Sequence, residues 1–206
     1  MSEITRLEPK PKNPDRLNLH LDGKYYCSID ALVAAKHTLY VGKEVDGAVL
    51  DKIIWESDRQ RAFDKALDYL SRYPSTVKGV TGKLYDWGFG RAVVELTIEK
   101  LQKYGYLDDA EYARVYVSVN GRAKGERRLA AELKSKGVSA EHIAAALDGF
   151  DGFDKALELA RRHSRGKDLD DQGYLAKLGN YLLYRGYGWE DVSRCVAALK
   201  KEREDE

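Results

Sequence analysis

Leu17, Leu19 and Leu21 alternate with polar neighbours up to Asp22-Gly23, and Tyr25, Cys27 and Ile29 resume the alternation beyond it. A period of two places each set on one face of a strand, and Asp-Gly between two such runs suits a tight primed turn. The pattern predicts a β-hairpin. An earlier strand over residues 3–8 lies within pairing reach, but Pro9, Pro11 and Pro14 lack backbone donors, so continuous sheet across that stretch is not expected. Residues 30–38 and 46–57 then read as helices, with Asp46 placed as a cap and Val49, Leu50, Ile53 and Ile54 forming one apolar face.

From Asp58 onward apolar residues recur at three and four, Gly separates segments of about 10 to 16 residues, and only Pro74 remains. The chain repeats itself there. Steps of 49 connect Leu84 to Leu133 and Leu182, Gly88 to Gly137 and Gly186, and Phe89 to Val138 and Tyr187. The next helix keeps register through Val94, Ile143 and Val192, through Ile98, Leu147 and Val196, and through Leu101, Phe150 and Leu199. That spacing puts them on one buried face. Each glycine of the triplet follows a helix and precedes an apolar residue, as a left-handed C′ position with its C″ contact does. Ser139 and the Asp108-Asp109 pair are placed to start helices.

Phe63-Asp64-Lys65-Ala66-Leu67 returns verbatim at residues 153–157, 90 positions later, so the third repeat carries eight extra residues, assigned to a polar loop at 164–171. The expected organisation is an extension at 1–57 with a β-hairpin and short helices, then three-helix repeats at 58–103, 106–149 and 150–206, the last including the C-terminal tail. Repeats this small gain stability by stacking on neighbours. The fold class expected is therefore mainly α, an elongated array of three tandem three-helix repeats with a small N-terminal extension. At ~1.5 Å per helical residue, three repeats in line reach roughly 50 to 70 Å. Such a body suits a groove or filament better than a small-molecule pocket.

Composition adds exclusions more than identity. The 206 residues are 43% hydrophobic and 33% charged, with a formal net charge of +1, so bulk charge selects no partner. Cys27 and Cys195 have no Cys or His neighbours at metal-ligand spacing, which argues against a zinc site or disulfide scaffold and favours a reducing cytoplasm. The polar N-terminus and the lack of any apolar run longer than five residues argue against a signal peptide and a membrane span. No nucleophile elbow, phosphate loop or H-x-x-x-H pair occurs, so neither catalysis nor a cofactor is expected.

Local charge is more informative. Residues 114–136 hold Arg114, Arg122, Lys124, Arg127, Arg128, Lys134 and Lys136 against Glu126 and Glu132, and residues 155–167 hold Lys155, Arg161, Arg162, Arg165 and Lys167 against Glu158. Arg127 and Arg128 open a helix, where cations gain nothing from the dipole, so a partner bearing carboxylates or phosphates explains them better than helix stability does. A solvated, salt-bridged face is the competing reading, since Glu132 can pair with Arg128 at i, i+4. Tyr104, Tyr106, Tyr112 and Tyr116 are assigned to core packing.

KYGYLDDAEYAR at 103–114, followed by GERRLAAELKSKGV at 125–138, resembles the regulatory protein RecX family. The motif positions are Tyr106, Leu107, Asp108, Asp109, Tyr112, Ala113, Gly125, Arg128, Leu129, Glu132, Leu133, Lys136, Gly137 and Val138. The resemblance spans about residues 58–200, with the first and third repeats matching more loosely. It implies an all-helical, curved protein, read as a monomer, that binds the RecA recombinase filament on DNA and inhibits ATP hydrolysis and strand exchange. By resemblance Arg128 and Lys136 are the motif cations, with Glu132 a helix-surface partner; charge placement adds Arg114, Lys124, Arg127, Arg161 and Arg162 as contacts to RecA or DNA. The alternative is a helical module that binds single- or double-stranded DNA without RecA.

Overall fold

A computed structural model describes residues 1–11 and 13–204. Strands β1 (Ser2–Lys10), β2 (Asn13–Leu21), β3 (Lys24–Asp30) and β4 (Glu44–Val45) form an antiparallel sheet of order β3-β2-β1-β4. The hairpin is as the alternation predicts, with Leu19 opposite Cys27 and Leu17 opposite Ile29. Asp22 and Gly23 both take positive φ, 48° and 82°, which the primed turn demands.

The prolines do not break the sheet as expected. Pro9 pairs with Leu17 within β1, beside a register shift, and Pro14 is the second residue of β2. A missing donor disrupts a ladder least at irregularities and strand starts.

Helix α1 (Ala31–Lys36) starts where the Asp30 carboxylate accepts from the N–H groups of Leu32 and Val33. Asp46 caps α2 (Gly47–Arg72) in the same way. This helix of 26 residues is a second departure: it passes Asp58 without a break, joining the expected 46–57 helix to the opening helix of the first repeat. No Gly or Pro interrupts residues 48–72, and Leu50, Ile53, Ser57, Ala62 and Ala66 keep one buried stripe along it.

The remaining helices are α3 (Val77–Asp86), α4 (Arg91–Lys103), α5 (Asp109–Asn120), α6 (Glu126–Ser135), α7 (Ala140–Leu147), α8 (Phe153–Ser164), α9 (Gln172–Tyr184) and α10 (Trp189–Glu204). The 49-residue step is a structural repeat. Leu84, Leu133 and Leu182 are fully buried, and Gly88, Gly137 and Gly186 take φ of 82°, 87° and 92°. The N–H groups of Phe89, Val138 and Tyr187 each donate, at 3.2 Å, to the carbonyl of the leucine five residues earlier. Those are Schellman closures, with the apolar C″ residue buried each time. Phe150 keeps the step in sequence but lies beyond the end of α7. The extra residues of the third repeat fall between α8 and α9, as placed.

The chain divides into two compact units, residues 1–75 with 80–107, and residues 76–79 with 108–206. In the first, Ile4, Leu19, Ile29, Val33, Leu50 and Ile53 form a core under the sheet. In the second, Ala113, Leu129, Leu133 and Ile143 fill one core, and Leu157, Leu178, Leu182 and Tyr187 belong to another.

Tyr104 and Tyr106 are not core residues; they are 60% and 55% exposed and meet Phe63 edge to face. The chain turns there at Gly105, which takes a positive φ, and Leu107 is the buried residue instead. Tyr112 and Tyr116 do pack, half-buried, against the core lined by α6.

Candidate functional site

Helix α6 carries the motif cations, and both its ends are held by hydrogen bonds within the second unit. At its start the N–H groups of Gly125 and Arg127 donate to the carbonyls of Arg185 and Gly186 at 2.9 and 3.1 Å. At its end the Thr76 hydroxyl donates to the Lys136 carbonyl at 2.7 Å, and the Lys78 ammonium donates to that of Ser135 at 3.0 Å. The two neighbouring carboxylates of the Asp108-Asp109 pair serve different helices. Asp108 caps α5 through the N–H groups of Ala110 and Glu111, whereas Asp109 accepts the N–H of Val77 at 2.8 Å.

On this frame Glu132 gathers three donors. Lys124 Nζ lies 2.6 Å from its Oε2, the Tyr116 hydroxyl donates to the same oxygen at 2.6 Å, and Arg128 Nε reaches Oε1 at 3.1 Å. Partial burial opposes the negative charge, but the three hydrogen bonds outweigh it and hold the carboxyl at a pKa of about 2. The bond to Glu132 in turn raises the pKa of Lys124. Lys136 approaches from the other end of the helix, with its ammonium 5.9 and 5.5 Å from the ring centres of Tyr112 and Tyr116, which stack on each other. Arg128 also lies over the Tyr184 ring at 5.7 Å.

Lys124, Arg128 and Lys136 are therefore brought into one array around a single carboxylate and two aromatic rings. Arg127 is exposed beside it and has no ion-pair partner among the described residues. The other expected contacts lie apart: Arg114 pairs with Glu111 at 2.6 Å, Arg161 with Glu202 across α8 and α10 at 2.5 Å, and Arg162 with Glu158 one turn away. The solvated-face reading thus describes these three well. Sequence reasoning placed Tyr112 and Tyr116 in the core and missed them as the seat of the cations; their spacing of four, matched to Glu132 and Lys136, was the available signal.

Four family models match the chain in order: Regulatory protein RecX N-terminal domain at residues 2–46, then the first, second and third three-helix domains of RecX at 62–101, 108–147 and 151–196. A protein of Bacillus licheniformis named Regulatory protein RecX is 32% identical over 212 aligned positions, covering 100% of this chain and 80% of that one. Its namesake from Clostridium acetobutylicum is 28% identical, covering 97% of each chain. The crystal structure of a regulatory protein RecX superposes with a TM-score of 0.69 at 26% identity, covering 94% of this chain and 98% of that one. RecX from Lactobacillus salivarius gives a TM-score of 0.65 at 23% identity over 69% of this chain and 97% of that one, a likeness of fold. The repeat, the motif on α6 and these matches agree, and the chain belongs to the RecX family of regulatory proteins.

Proposed function

We propose that this chain binds the RecA recombinase filament on DNA and inhibits its ATP hydrolysis and strand exchange, acting in the cytoplasm as a monomer without catalysis of its own. Family membership supports the class of activity. The observation that carries the assignment of a surface is the array on α6, where Lys124 and Arg128 converge on the Glu132 carboxylate and Lys136 lies over the adjoining tyrosine rings, leaving positive charge in excess, with Arg127 free at its edge. Lys124, Arg127, Arg128 and Lys136 make the principal contact, meeting acidic groove surface or backbone phosphates. Arg114, Arg161 and Arg162 are outlying cations, whose own ion pairs must open before they reach the partner.

Titrating the protein into RecA hydrolysing ATP on single-stranded DNA tests this, alongside an Arg127→Glu, Arg128→Glu double variant checked for native helicity. The expected result is inhibition by the wild type and its loss in the folded variant. Unchanged RecA turnover, combined with binding to naked DNA whose log affinity falls by roughly 0.9 per neutralised phosphate against log salt, would replace this reading with a RecA-independent DNA-binding module.

A further inference from the structure

A cleft of about 540 Å³ opens in the first unit between α1, α2 and α4. One face of α2 supplies most of it: Lys52, Trp55, Glu56, Arg59 and Phe63 recur at helical spacing over about 16 Å of helix. Helix α4 contributes Leu96 and Lys100, and Lys36 closes the side at the end of α1. Trp55, Phe63 and Leu96 supply its apolar lining. The rim carries four cations, Lys36, Lys52, Arg59 and Lys100, against one lining carboxylate, Glu56.

Glu56 is already engaged, 2.5 Å from Lys36 Nζ and 2.7 Å from His37 Nε2. Lys52, Arg59 and Lys100 have no ion-pair partner among the described residues. Two of them lie against aromatic rings of that lining: the Arg59 guanidinium is 4.6 Å from the Trp55 ring centre, and the Lys100 ammonium is 3.8 Å from that of Phe63. Charge beside apolar surface is what a peptide carrying both carboxylate and apolar side chains complements. Lys52 and Arg59 stand two helical turns apart, about 10 Å, the length of three residues of extended chain.

We propose that this cleft docks an acidic peptide segment of a partner protein, seating one apolar side chain on Trp55, Phe63 and Leu96 and carboxylates on Lys52, Arg59 and Lys100. None of these residues belongs to the α6 array, so this docking is independent of the contact assigned to RecA. An exposed cation-rimmed groove of this kind sets selectivity and encounter rate by charge complementarity, while the buried apolar anchor supplies affinity.

The test uses the full-length chain and a short fluorescein-labelled peptide of Asp and Glu around one Leu, read by fluorescence anisotropy. Its Asn/Gln counterpart and labelled oligothymidylate are the comparison probes. The expected result is binding of the acidic peptide and not of its Asn/Gln counterpart, without competition from oligothymidylate. A Lys52→Glu, Arg59→Glu, Lys100→Glu variant of native helicity should weaken it about tenfold or more, while Lys177→Glu on α9 should leave it unchanged. Should the triple variant fail to fold, Arg59→Gln serves, with a smaller loss expected. Trp55→Ala should weaken the Leu-bearing peptide more than a version carrying Ser at that position. Failure of the wild type to bind, equal binding by the charge variants, or displacement of the peptide by oligothymidylate through the same cations would each overturn the proposal.

Discussion

Gly125 and Gly186 meet main chain to main chain, with no room for a Cβ on either side. A methyl group on Gly125 would fall inside the Gly186 carbonyl and the Tyr187 nitrogen, and one on Gly186 inside the backbone of Arg128. Gly186 also holds a φ of 92°, which L side chains rarely adopt. The glycine that opens the family-like motif on α6 is thus fixed by a neighbour 61 positions away in the sequence, through a backbone contact that a repeat pattern does not display.

Gly125→Ala is therefore expected to destabilise the second unit by about 1–3 kcal/mol more than Gly90→Ala does the first. Both glycines are N-caps without a side-chain bond, at φ of −79° and −71°, so the loss of capping preference cancels in the comparison. Only Gly90 has open space around it. Urea unfolding followed by circular dichroism measures the difference; equal shifts would show that the backbone contact relaxes at no cost.

Glu132→Gln should cost about 1–2 kcal/mol at neutral pH, allowing for solvent screening of its partners. The carboxyl titrates lower in the folded protein, about 2, than the 4.5 of an unperturbed glutamate. Its stabilisation is accordingly complete above the unfolded value and is lost as pH falls from there through the folded one. Urea midpoints of wild type and variant should converge between pH 5 and about pH 2. A constant gap across that range would mean that Glu132 contributes by packing.

Asp108→Ala and Asp109→Ala should each lose about 1 kcal/mol, because each removes an acceptor for helix-terminal N–H groups. Asn at position 108 should retain most of the capping, and thermal unfolding of the three variants distinguishes this from a role of the adjacent charges in binding. A neutral outcome for Asp109→Ala would show that the Val77 N–H finds water instead.

Arg127 and Arg128 should separate function from stability. Arg127→Glu alters an exposed, unpaired side chain and should change stability by less than about 0.5 kcal/mol while relieving RecA inhibition. Arg128→Glu places like charge one turn from Glu132 and removes the cation over Tyr184, so it should lower both stability and inhibition. Paired measurements of urea midpoint and RecA ATP hydrolysis would decide; inhibition surviving Arg127→Glu intact would move the contact elsewhere.

Much of the fold is legible because its determinants are local and periodic. The Leu-x-x-x-Gly-apolar closures at 84, 133 and 182 encode a hydrogen-bond pattern that the sequence spells out, as Asp22-Gly23 encodes its turn. The joining of 46–57 to the first repeat is masked by the change of pattern at Asp58, although nothing in 48–72 breaks a helix. Tyr104 and Tyr106 lie where the first two repeats are expected to join, a position that predicts burial, whereas Gly105 between them takes a positive φ and both rings stay exposed. The charge run at 114–136 contains the cations of the α6 array together with Arg114, which lies apart, but the part of Tyr112 and Tyr116 depends on how α5 lies against α6. The cleft on α2 left no comparable trace, since Lys36, Lys52, Arg59 and Lys100 come from three helices in regions of mixed charge.

The backbone contact at Gly125 has a consequence for how anions are met. A helix N-terminus ordinarily offers its free amides and its positive dipole end to phosphate. On α6 the amides of Gly125 and Arg127 are occupied by the carbonyls at the end of α9, which bring the negative end of another helix dipole against it. An anion arriving at Arg127 and Arg128 therefore meets flexible side chains, with the Gly125 and Arg127 amides beside them already engaged. Its grip should be graded by ionic strength, letting the protein attach and release as the counterion atmosphere around its partner changes.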